Sequence, residues 1–137
     1  MPRGGLMTQD RKTESHPRSW REKFAAAFRG TKLGIRGHSS FFVHFFFAAL
    51  VVACSVAFSL HSWEWCVLII CIGGVIVSEL FNSAIETLVR GLPLEQRPAF
   101  WPALDIAAGA VLVASGFAVL LGFFILAPKF ITFLFGR

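Results

Sequence analysis

Long apolar runs alternate with short polar links along this chain. Over residues 20–36, Phe24, Phe28, Thr31 and Ile35 fall on one helical face and Arg29, Lys32 and Arg36 on another. The pattern predicts an amphipathic helix lying in the headgroup plane, its basic face toward anionic lipid; a soluble amphipathic helix is the alternative. The run Phe41 to Leu60 is about 30 Å long at 1.5 Å per residue, enough to cross the hydrocarbon core. His61-Ser62-Trp63-Glu64-Trp65 follows as a polar link whose tryptophans suit an aromatic belt. The second run is apolar from Trp65 through Val77, then takes on Ser78, Glu79, Asn82, Ser83, Glu86 and Arg90 within the same helical pattern. After that change no breaker appears until Gly91 and Pro93, so the second span is expected over 65–90. The proline-bearing stretch Gly91 to Pro102 reads as a loop. A third span is expected over 104–126, closed by Pro128, with a short aromatic tail over 128–137. Residues 1–19 are polar and carry Pro2, Gly4, Gly5 and Pro17, as a mobile tail does. The expected fold is an all-α membrane protein: a surface helix and three transmembrane helices, with residues 20–127 as one domain.

Composition supports the membrane. Only 15% of the residues are charged, against about 25% in soluble domains, and mean hydropathy is +0.67. The net charge of +5 does not point to nucleic acid, because the charge is segregated around the apolar runs. Nine of the thirteen basic residues precede residue 40, the 61–65 link has none, and the 90–103 loop has Arg90 and Arg97. The positive-inside rule then puts the N-terminus and that loop in the cytoplasm and the C-terminus outside, weakly opposed by Lys129 and Arg137. The first apolar run starts too late and is too long for a cleaved signal peptide. Cys54, Cys66 and Cys71 sit in apolar runs without metal or redox spacing and read as small packing residues.

One stripe carries candidate chemistry. Glu79, Asn82 and Glu86 share a helical face, and Arg90 continues it. Carboxylates near the end of a spanning helix are costly to desolvate. Here they offer hard oxygen ligands to Mg²⁺ and a general base; an ordinary solvated helix end is the alternative. Asp105, which complements the dipole at the start of the third run, and His44, one turn into the first, return to the same membrane interface. P-loop, nucleophile-elbow and His-Glu-x-x-His patterns do not occur in the sequence.

The run Glu79-Leu80-Phe81-Asn82-Ser83-Ala84-Ile85-Glu86 resembles the Glu-x-x-Asn-x-Ala-Ile-Glu signature of the prokaryotic diacylglycerol kinase family, which includes undecaprenol kinases. Asp105-Ile106-Ala107-Ala108-Gly109-Ala110-Val111 is similar to the family's Lys-Asp-x-Ala-Ala-Gly-Ala-Val block from its Asp onward. Ala27-Phe28-Arg29-Gly30, then Phe41 and His44, follow its N-terminal pattern more weakly.

The resemblance implies a homotrimer in the bacterial inner (cytoplasmic) membrane, with sites shared between subunits. It implies transfer of the γ-phosphate of Mg-ATP to the hydroxyl of diacylglycerol or undecaprenol. Glu79 is then the general base, Asn82 a site-shaping amide and Glu86 a Mg²⁺ ligand. Asp105 and Gly30 belong to the nucleotide site, and His44 stands where other members carry a metal-holding Glu. The chain departs from the family at three places. Leu104 replaces the Lys before the Asp, Arg90 replaces an Asp, and His38-Ser39-Ser40 replaces Glu-Arg-Asn. Arg90 is accordingly a candidate catalytic cation, or else a residue snorkelling to headgroups. The alternative function is a catalytically weakened member that binds nucleotide or lipid. A scaffold or transporter component is a third reading.

Overall fold

A computed structural model describes residues 19–37 and 39–136. The expected mobile tail, apart from Ser19, lies outside the described residues, as do His38 and Arg137. Among the described residues there are four α-helices, α1 (Trp20–Gly37), α2 (Ser40–Ala57), α3 (Ser62–Arg90) and α4 (Trp101–Phe135), with a 3₁₀ turn at Arg97–Phe100 leading into α4. Strands are absent among the described residues. Three of the helices, α2, α3 and α4, are long and apolar enough to cross a membrane.

Beyond one-residue shifts, the element ends differ from the sequence pattern in four places, the first being that α4 begins at Trp101 rather than 104, so that the end of the expected loop is helical. α2 stops at Ala57 rather than Leu60, because the chain turns at Ser59, whose φ is 50°; Leu60 is thereby buried, its N–H donating back to Ser55 O. α3 takes in most of the expected polar link. His61 caps it, and the Glu64 side chain reaches back to the His61 N–H at 2.7 Å, so a capping box absorbs the polar residues. Pro128 does not close the third span: α4 runs through it to Phe135. A proline removes one backbone donor, but in hydrocarbon the other backbone groups still require helical partners. Thr132 Oγ1 donates to Pro128 O at 3.0 Å. Phe130 and Phe133 also stack near Phe58, which caps the end of α2, with ring centroids 6.2 and 5.7 Å apart.

The three long helices run up, down and up. The start of α2 meets the second half of α3 through Ser40 and Glu79, and the end of α4 meets the start of α3 through Lys129 and Glu64. Leu60, Leu68 and Ile125 form the small core at that second end. α3 packs chiefly against α4. The buried face of α4 is built from small residues such as Ala107 and Gly122, which let helix backbones approach closely. The large apolar side chains of α2 (Phe42, Phe46) and α4 (Phe123, Phe124) remain exposed, as a hydrocarbon surround requires. On α1, Phe24 and Phe28 are likewise exposed. α1 touches α3 at Gly34, where an added Cβ would stand 2.9 Å from Leu80 Cδ2. That glycine sets the close approach of α1 beside Glu79.

Candidate active site at the end of α3

The buried residues of α3 include Leu68, Val75, Glu79, Asn82 and Val89, at alternating steps of seven, four, three and seven. The polar stripe therefore continues the packing seam rather than forming a separate solvent face. Glu79 is 3% exposed and Asn82 8%, so the solvated-helix alternative does not hold for these two. Glu86 is half-buried and Arg90 exposed, as the helix leaves the bundle.

Two groups of side chains result. In the first, Ser40 Oγ of α2 donates a hydrogen bond to Glu79 Oε1, and His44, one turn further along α2, places Nε2 3.9 Å from Glu79 Oε2. In the second, Asn82 Nδ2 donates to Glu86 Oε1 at 3.0 Å, while Arg90 Nη2 donates to Glu86 Oε2 at 2.8 Å. The i, i+4 spacing on a helix makes this second group local. The first is tertiary, since 39 residues separate Ser40 from Glu79.

Among the described residues no group of three His, Cys, Asp or Glu side chains gathers that could hold a metal. Glu86 offers carboxylate oxygens at the rim. This donor set fits Mg²⁺ arriving on a nucleotide, where phosphates and water fill most of the shell, better than a resident metal cage. His44 faces Glu79, and an imidazole nitrogen is a poor match for Mg²⁺. Asp105 stands exposed near the start of α4. Leu104 is half-buried, three residues before the buried Ala107, and so lies on the packing side of α4. Gly30 stands open on α1, with nothing within 4 Å of an added Cβ.

Beside the site, a groove of about 770 Å³ runs between α2, α3 and α4. It begins at His44 and reaches Phe58 and Phe130, and its walls are almost wholly apolar (Phe47, Val51, Ile72, Val119). His44 thus both lines the groove and faces Glu79.

Sequence reasoning passed over three contributors. Ser40 was a departure from a motif rather than a partner of Glu79. Arg97 counted only as a topological charge; its guanidinium donates to Leu92 O at 3.1 Å and Arg90 O at 2.7 Å, which satisfies carbonyls where α3 ends. Ser83 is 1% exposed and its Oγ has no hydrogen-bond partner; nothing in a single helical pattern signals that.

These features define a small multi-span membrane protein with a buried carboxylate at one end of its bundle, next to a hydrocarbon-lined groove. Residues 25–126 match the prokaryotic diacylglycerol kinase family, and the chain belongs to it, which places it among the membrane lipid kinases. The undecaprenol kinase of Bacillus subtilis (strain 168) is 33% identical over 108 residues, spanning 79% of this chain and 88% of that protein. No solved structure matches.

Proposed function

We propose that the protein transfers the γ-phosphate of Mg-ATP to the hydroxyl of a membrane lipid at the cytoplasmic face of a bacterial inner membrane. The observation that carries this reading is the place of His44, which closes one end of the apolar groove and stands across from the buried carboxylate of Glu79. A lipid chain in that groove would bring its hydroxyl to Glu79.

Depth along α3 separates the two substrates. From Trp65 to Glu79 is about 21 Å and to Glu86 about 32 Å at 1.5 Å per residue. Against a hydrocarbon core about 30 Å thick, Glu79 lies at lipid depth and Glu86 at the aqueous edge. Glu79 accepts the hydroxyl proton as the lipid oxygen bonds to the γ-phosphorus and ADP departs with the electrons of the broken P–O bond. Asn82 holds Glu86, which serves as the Mg²⁺ ligand of the incoming nucleotide, and Arg90 supplies a cation beside it. Asp105 and Gly30 are assigned to the nucleotide side. Both are exposed in the single chain, and in a homotrimer of the family's kind a neighbouring subunit would complete the site around them. Positioning and charge neutralisation suffice for phosphoryl transfer, so a small site is adequate.

Undecaprenol is the acceptor that the Bacillus subtilis relative suggests, and diacylglycerol the one that the family description suggests. Transfer of label from [γ-³²P]ATP to each lipid in mixed micelles tests the reading. Labelled lipid that requires Mg²⁺ is the expected result. Nucleotide or lipid binding without transfer would favour the weakened-member reading, which the apolar Leu104 at the family's Lys position supports.

A further inference from the structure

Glu79 has two carboxylate oxygens in different surroundings. Oε1 accepts the hydroxyl hydrogen bond of Ser40. Oε2 stands 3.9 Å from His44 Nε2, beyond hydrogen-bond length. A hydroxyl oxygen can nonetheless sit about 2.8 Å from both atoms, within ordinary hydrogen-bonding distance of each. His44 borders the apolar groove while Glu79 lies behind it, outside the groove lining, so a lipid hydroxyl would reach the gap past His44.

We propose that Ser40 is a positioning residue which ties down one oxygen of Glu79 and leaves the other, Oε2, as the base that takes the acceptor proton. This rests on the kinase reading above and deepens it. A carboxylate on a flexible side chain can rotate between orientations, and a buried one that is free to rotate spends time with neither oxygen in line. A donor on a different helix removes that freedom. Ser40 is the first residue of α2 and His44 lies one turn on, so a single helix end fixes both the held oxygen and the wall opposite the free one. The acceptor O–H gives its proton to Oε2 while its oxygen attacks the γ-phosphorus. Ser40 touches neither reacting atom.

The role can be separated from simple packing by three substitutions in the full-length protein. Ser40→Ala and Ser40→Val remove the hydroxyl, whereas Ser40→Thr keeps it at nearly the volume of Val. With labelled ATP and the better of the two lipids, Ala and Val should lower kcat by about 10- to 100-fold, the usual cost of losing a group that orients a reacting one. KM for Mg-ATP should barely change, the thermal midpoint should fall alike in Ala and Val because both leave a buried carboxylate oxygen without its donor, and Thr should restore most of kcat. Equal kcat for Ala and wild type would overturn the inference while leaving the kinase reading intact. So would equal losses in Thr and Val, or a lower thermal midpoint with unchanged kcat, because either result makes the tie structural. A wild-type protein that labels no lipid would sink the kinase reading and this inference with it.

Discussion

Lys129 Nζ lies 3.2 Å from Glu64 Oε2, which ties the last turns of α4 to the first turn of α3. The same ammonium stands 3.3 Å from His61 Nδ1. Glu64 is buried, so its partner matters more than a surface cation would. Lys129, one of the two charges that weakly oppose the expected topology, is thus paired within the chain. Lys129→Ala should lower the thermal midpoint in detergent, and adding Glu64→Gln should recover part of the loss, since the double variant no longer buries an unpaired carboxylate. A single variant as stable as wild type would mean that the tie contributes nothing.

Glu86→Gln should abolish lipid phosphorylation, by at least about 100-fold, as expected when charge stabilisation at a transferring phosphoryl group is lost. The amide keeps the size of the side chain. It must, however, turn an NH₂ toward Asn82 or Arg90, both of which donate to Glu86 in the native chain. Oligomeric state on size-exclusion chromatography should be unchanged. Undiminished Mg²⁺-dependent turnover would remove Glu86 from the ion's shell.

Arg90→Ala should slow transfer by about 10- to 1000-fold if its guanidinium serves the phosphates, as cations at such sites do. Arg90 pairs with Glu86 at 2.8 Å, close enough to act on a nucleotide bound there. Adding Leu104→Lys should restore part of the rate, because it returns a cation to the neighbouring helix. Normal turnover in Arg90→Ala would make the exchange of cations coincidental and leave Arg90 as a headgroup-facing side chain.

The orientation can be read by thiol labelling after replacing the free cysteines Cys54, Cys66 and Cys71. A single cysteine at Glu95 should react with an impermeant maleimide only in permeabilised cells, and one at Trp63 should react in intact cells. The opposite pattern would strand Glu86 on the side without ATP.

Much of the fold was legible because hydrocarbon imposes a simple demand: about 20 apolar residues per span and full backbone hydrogen bonding. The three spans followed from that demand alone. Their ends did not. Pro128 looked like a stop, yet α4 continues, since leaving several carbonyls bare in an apolar surround costs more than one missing donor. The link at 61–65 looked like a loop, yet Glu64 folded back on the His61 N–H and became the first turn of α3.

The site divides in the same way. Asn82, Glu86 and Arg90 are neighbours by helical spacing, and the sequence by itself determined that they share a stripe, because within one helix periodicity fixes who meets whom. Only the tertiary structure decided that Glu79 turns toward Ser40 and His44, that Leu104 sits on the packing side of α4, and that Lys129 neutralises Glu64. Each of these depends on the register at which two helices cross. That register is set where small residues let two helices come together, as Gly122 of α4 does against Leu68 of α3, and no periodicity within a single segment encodes it.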